Sequence, residues 1–201
     1  MLVSELMLQQ TQVIRVVPKY GEFLERFPTL ESVAAASPRQ VMEAWSGLGY
    51  YARARHLHRL ARTLAGTLAG AETRSGAEAR ETPAWRLPAD PGALRALPGI
   101  GAYTAGAVAS FAYERRAALV DTNVARVLTR VFAPRLDPRS PRGRRTAWAI
   151  AEATLPRAGS VAYTQNQALM ELGALVCTAR IAHCPRCPVR PVCKSGRTAG
   201  L

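Results

Sequence analysis

Apolar residues recur along this chain three and four positions apart, and almost nowhere in the period of two that a strand requires. The pattern predicts an all-α protein. Ser37 ahead of Pro38 places an N-cap before a proline in the first helical position, and Val41, Met42 and Trp45 follow as the apolar face. Asp121 precedes Val124, Val127, Leu128 and Val131, which puts the aspartate at the start of an amphipathic helix. Another apolar-faced helix is expected over 164–176, running into the first cysteine. Between 66 and 91 the composition turns to Gly, Ala, Thr, Glu, Arg and Pro without periodicity, which reads as an exposed, mobile loop between two helical halves. No internal repeat is found.

Composition narrows the class. A chain of 201 residues, 48% hydrophobic and 20% charged, suits one or two small domains with a real core. No apolar run approaches the length needed to cross a bilayer, and the features of a signal peptide are missing, so the expectation is a soluble, intracellular protein. Lys and Arg total 27 against 14 Asp and Glu, a net charge of +13. Such a balance favours a polyanionic partner, because each neutralised phosphate releases condensed counterions. Arg53, Arg55, Arg59 and Arg62 recur on one predicted helix and are assigned to the basic face. His56, His58 and His183 are read as surface or phosphate-facing residues.

Cys177, Cys184, Cys187 and Cys193 are the only cysteines, spaced C-x6-C-x2-C-x5-C in a basic, proline-punctuated segment. Without an export signal, two disulfides are disfavoured, which leaves a metal site. Four-cysteine zinc sites usually present two C-x2-C knuckles, and here there is one. The wider outer spacings suit a cuboidal iron–sulfur cluster held by its corners, with zinc as the alternative.

Two further features bear chemistry. Leu97-Pro98-Gly99-Ile100-Gly101 precedes a helix through Tyr103, Thr104, Ala105 and Val108. Its glycines allow a tight turn with positive φ and leave backbone N–H groups open at a helix N-terminus, a means of holding a phosphate without reading sequence. Alone, such a segment is an ordinary glycine turn. Asp121 alone would be an ordinary cap. A second carboxylate, Glu5, stands within an otherwise apolar helix face in Val3-Ser4-Glu5-Leu6-Met7-Leu8. Two carboxylates in different environments are what cleavage of a glycosidic bond needs, one to donate a proton and one to meet the oxocarbenium charge.

The order of these segments resembles that of the helix-hairpin-helix DNA glycosylases, over nearly the whole chain to about Lys194. The resemblance rests on Ser4-Glu5 through Val13, Gly47-Leu48-Gly49-Tyr50-Tyr51-Ala52-Arg53-Ala54-Arg55, the 97–104 hairpin, 120–124 and the cysteine quartet. The first two segments look like the adenine DNA glycosylase branch, which removes adenine mispaired with 8-oxoguanine or guanine in base excision repair. The resemblance implies a two-lobed all-α fold: a barrel lobe over 13–131 with the hairpin at 97–108, and a lobe of 1–12 plus 132–201 around a C-terminal [4Fe–4S] loop at 177–193. A cleft between the lobes would take the extruded base. Glu5 would protonate adenine at N7 and Asp121 would stabilise the oxocarbenium ion. Tyr103 and Asn123 would position these groups and the backbone, and Gln167 would contact the adenine edge. Gln10 and Tyr50 would wedge into the duplex, with Leu48 and Gly49 in the same strand-opening loop, and Gly99 and Gly101 would hold the DNA backbone. The implied partner is double-stranded DNA carrying A:8-oxoguanine or A:G, bound by a monomer in the bacterial cytosol or nucleoid. The family's preceding N-terminal helix and its C-terminal 8-oxoguanine-recognition domain are expected to be absent here.

Three rival functions follow. Endonuclease-III-like relatives also cut the strand through a lysine Schiff base, and where they carry that lysine this chain has Tyr103, which predicts a monofunctional hydrolase. A glycosylase for T/G mismatches would share the tyrosine, but thymine has no N7 for Glu5 to protonate. The third rival is a truncated, non-catalytic DNA-binding module.

Overall fold

The computed structural model describes residues 1–72 and 86–198. The chain forms two compact units, Met1–Thr104 and Ala105–Leu201. Helices dominate both. Among the described residues the only β pairing is an isolated bridge between Cys177 and Ala182.

The first unit contains α1 (Leu2–Leu8), α2 (Val13–Arg26), α3 (Leu30–Ala35), α4 (Pro38–Ala44), α5 (Ala52–Glu72) and α6 (Pro91–Arg95). Three of its short helices, α3, α4 and α6, start where a side chain satisfies an orphan backbone N–H group. Thr29 and Ser37 each form a reciprocal capping box, with Ser32 and Gln40 respectively, and Asp90 accepts from Ala93 N at 2.7 Å. The Ser37-Pro38 start is as expected. The apolar faces converge on α5, against which α1, α3 and α4 pack. Phe23 of α2 meets the edge of Trp45 with ring centroids 5.8 Å apart, and both side chains are fully buried.

The expected loop over 66–91 is corrected at its N-terminal end, while its C-terminal end agrees with the start of α6. Helix α5 continues through Gly66 to Glu72, and α6 begins at Pro91 with Asp90 as its cap. Ala and Leu around Gly66 and Gly70 are strong helix formers, and they offset the glycine penalty of about 1 kcal/mol each. Residues 73–85 of that expectation lie outside the described residues.

The second unit contains α8 (Thr122–Phe132), α9 (Pro141–Thr154), α10 (Gly159–Glu171) and α11 (Lys194–Thr198); α7 spans Ala102–Tyr113. Helix α8 is its centre, with α9, α10 and α11 packed around it. The stripe read from sequence is its buried face: Val124, Val127, Leu128 and Val131 are all buried. Each such side chain contributes about 1.5–3 kcal/mol relative to exposure. The helix expected over 164–176 starts earlier, at Gly159, and its last turn widens into a π-helix over Leu172–Val176, where Cys177 N donates to Leu172 O at 2.7 Å.

Candidate functional site

In the first unit, Glu5 is half-buried on α1, whose Leu2, Leu6 and Met7 are buried against the core. Gln10 follows the helix with φ of +56°, and Gln9 donates to Thr104 Oγ1 at 3.4 Å. The segment Gly47-Leu48-Gly49-Tyr50 turns sharply, with φ of +88° at Gly47, +68° at Gly49 and +46° at Tyr50. Gly47 and Gly49 meet that requirement without a Cβ penalty. Tyr50 is 59% exposed, so its ring projects from the loop. Leu48 does the opposite. Its side chain is buried, and its carbonyl accepts from Thr11 Oγ1 and Arg53, so it anchors the loop from inside rather than reaching outward.

Two more expectations change at α5. Arg53 was grouped with Arg55, Arg59 and Arg62, yet Arg53 is 5% exposed while the other three are exposed. The helical period explains it: positions 55, 59 and 62 share a face, whereas 53 lies about 200° away from 55. His58 is also buried rather than at the surface, on the stripe shared with Ala54, Leu57 and Ala61, and its Nε2 lies 2.9 Å from Ala36 O. His56 is half-buried and His183 exposed. Burial, then the charges of Arg59 and Arg55, holds the His56 imidazole below its usual pKa.

The 97–104 segment forms the expected turn, with one correction. Only Gly99 has positive φ, at +79°, and a Cβ there would collide with the side chain of His56. Gly101 has no such requirement and faces open space. The turn therefore needs one glycine, because a single left-handed residue reverses the chain into α7. Tyr103 is half-buried in the first turn of α7.

In the second unit, Asp121 caps α8 as its position predicted: Oδ1 accepts from Val124 N at 2.6 Å. Its other oxygen accepts from Asn123 Nδ2 at 3.2 Å. Asn123 Oδ1 in turn accepts from Arg126 at 2.7 Å, and the same guanidinium donates to Gly173 O at 2.8 Å and Cys177 O at 2.9 Å. This chain of bonds runs from the carboxylate to the first cysteine. Gly173 permits it, since a Cβ there would stand 2.8 Å from Asn123 Cβ. Arg126 was not singled out by the sequence, and its spacing from Asn123 on one helix face was the available signal. Gln167 is exposed on α10. Its neighbour Asn166, also missed, is buried and donates to Ser110 Oγ and Ala117 O, both at 2.9 Å.

All four cysteines line one cavity of about 250 Å3, together with Arg130, Arg180, Arg190 and His183. Arg130 donates to Cys177 Sγ at 3.3 Å, and Gly196 N donates to Cys193 Sγ at 3.2 Å. Cationic and backbone N–H donors are the surroundings that thiolates bound to a metal centre require. Among the described residues, no three Cys, His, Asp or Glu side chains converge on a single-ion site.

Residues 3–153 match the family model described as HhH-GPD superfamily base excision DNA repair protein. The chain is similar to proteins named adenine DNA glycosylase. It is 45% identical over 188 residues to that of Mycolicibacterium smegmatis, covering 94% of this chain and 58% of the relative. It is 40% identical over 198 residues to that of Rattus norvegicus, covering 98% of this chain and 35% of the relative. This chain thus spans between about a third and just over half of these relatives' length. A solved thermostable thymine-DNA glycosylase superposes with a TM-score of 0.80 at 25% identity, covering 98% of this chain and 83% of that one. The protein of a non-covalent endonuclease III–DNA complex shares the fold, with a TM-score of 0.75 at 21% identity and the same two coverages.

Proposed function

The chain belongs to the HhH-GPD superfamily of base excision DNA repair proteins, and from that premise we propose that it is a monofunctional DNA glycosylase acting on adenine mispaired with 8-oxoguanine or guanine. The likeness to proteins named adenine DNA glycosylase, over 94% or more of this chain, carries the reading. The bonding around Asp121 supports it.

Duplex DNA is the partner, and the net charge of +13 favours its approach. The backbone N–H groups after Gly99 hold a phosphate, while Gln10 and Tyr50 enter the base stack and lower the cost of extruding the adenine. Gln167 contacts the edge of the freed base. Glu5 delivers a proton to N7, which makes adenine a neutral leaving group. Asp121 meets the developing positive charge on the sugar, held in orientation by Val124 N and Asn123, and water then completes hydrolysis. With Tyr103 where a strand-cleaving relative uses lysine, no imine forms with the sugar.

Cys177, Cys184, Cys187 and Cys193 would hold a [4Fe–4S] cluster. One cavity lined by all four cysteines supports a single group shared among them, and the wide outer spacings of the quartet favour a cluster over zinc. Such a cluster would supply a structural crosslink, fixing the basic loop around Arg180, Arg186 and Arg190.

Assaying A:8-oxoguanine, A:G and T:G duplexes side by side tests the reading. Adenine release from the first two is expected, lost in Glu5→Gln with mismatch binding retained, and with inefficient borohydride trapping. Release from T:G alone, the reading favoured by likeness to a thymine-DNA glycosylase, overturns it. Absence of base release from every duplex leaves the binding-module function instead.

A further inference from the structure

Among the described residues of the first unit, Gln10 and Tyr50 are the two other than glycine that hold a left-handed backbone, at φ of +56° and +46°. Neither side chain is one that relieves the cost of this conformation by bonding its own backbone, as Asn and Asp do. Such conformations persist only where the surroundings over-determine them. The two residues are 40 positions apart in sequence, and one side chain reaches both.

That side chain is Arg53. Its guanidinium donates to Gly49 O at 2.9 Å and Leu48 O at 3.2 Å, the carbonyls just before Tyr50, and to Tyr50 O at 3.3 Å. It also donates to the carbonyl of Gln9, the peptide that leads into Gln10. Its remaining acceptors are Met7 O at 2.7 Å and Leu6 O at 3.1 Å, in the last turn of α1. Those two carbonyls are among the orphans of a helix C-terminus, where a cation is favoured. The guanidinium also lies 5.4 Å from the Tyr50 ring centroid and 5.6 Å from that of Trp45.

Every acceptor named here is main-chain. Burying a charge is costly, and it lowers the pKa of Arg53. A buried lysine or a neutral side chain would fill part of this space, but only a planar fork with five N–H groups can address carbonyls from two separate segments at once.

We propose that Arg53 is a positioning residue: it fixes the left-handed backbones of Gln10 and Tyr50 against the C-terminus of α1, so that the two wedge residues meet the duplex as one rigid piece. The inference rests on the reading of Gln10 and Tyr50 as wedges. It separates Arg53 from the basic face, because its guanidinium is occupied by carbonyls and is not offered to phosphate.

The test compares the parent with Arg53→Lys and Arg53→Met, with folding checked by circular dichroism. Each is measured at saturating protein on two DNAs. One carries A:G beside a 2-aminopurine reporter of unstacking, and the other an adenine opposite an abasic site, which has no partner to be parted from. Arg53→Lys should blunt the fluorescence rise and slow single-turnover release from A:G about tenfold, with less than about threefold loss on the unpaired adenine. Equal losses on both DNAs, or an unchanged fluorescence rise, overturn the proposal. If Arg53→Met does not fold, Arg53→Lys decides; if neither folds, Arg53 is a structural cap and the positioning role is overturned. Should the parent release no adenine at all, the enzymatic reading fails, while the 2-aminopurine signal still reports on Arg53.

Discussion

Asp121 serves the fold and the proposed chemistry with different oxygens. One is committed to capping α8 and the other is oriented by Asn123. Asparagine caps about as well as aspartate but carries no charge. Asp121→Asn should therefore melt within about 1 kcal/mol of the parent while its single-turnover rate falls by about 100-fold or more. The hairpin glycines separate in the same way. Gly99→Ala introduces a Cβ at φ of +79° against His56, and should destabilise by about 1–3 kcal/mol, whereas thermal melting of Gly101→Ala should match the parent. His56 adds a pH term. Its pKa is lowered in the fold, so the unfolded chain takes up a proton that the native state resists. This contribution is intact above the unfolded value of 6.5 and is lost as pH falls from there toward the folded value. The drop in melting temperature between about pH 7.5 and about pH 5.5 should be smaller in His56→Gln than in the parent.

At the scale of elements, Arg126 ties α8 to the π-helical turn and the first cysteine. It donates to a side-chain amide and two carbonyls that lie 47 and 51 residues away. Arg126→Gln cannot reach all three, and leaves partly buried acceptors without donors. Chemical denaturation should show a loss of about 2–3 kcal/mol, and the rate should fall with it because Asn123 loses its brace. The elements also show how far a pattern carries. The Ser37-Pro38 start, the Asp121 cap and the Val124–Val131 stripe were legible because each depends on residues within two turns. The continuation of α5 past Gly66 and the widened turn at Leu172–Val176 were not, since composition hid the first and a shift of hydrogen bonding from four to five residues apart makes the second.

The whole molecule carries +13, and Arg55, Arg59 and Arg62 on α5 are exposed to contribute to it. Affinity for duplex DNA should consequently fall steeply with salt. For about six neutralised phosphates, raising salt from about 50 to about 200 mM should weaken binding by about 1,000-fold, read by fluorescence anisotropy. A shallow slope would mean that few of these charges meet the backbone.

The sequence by itself determined the helical class, the helix starts at Ser37-Pro38 and Asp121, and a glycine turn over 97–101. These follow from local rules, in which a residue's period, cap or conformational range decides its place. Only the tertiary structure decided that Arg53 and His58 lie inside, that Leu48 anchors its loop from within, and that Asp121 is linked through Asn123 and Arg126 to Cys177. The physical reason is the same for each. Arg53 finds its acceptors up to 47 residues away, and Arg126 up to 51. A main-chain carbonyl looks alike on every residue, so no pattern of side chains can announce which arginine it will bind.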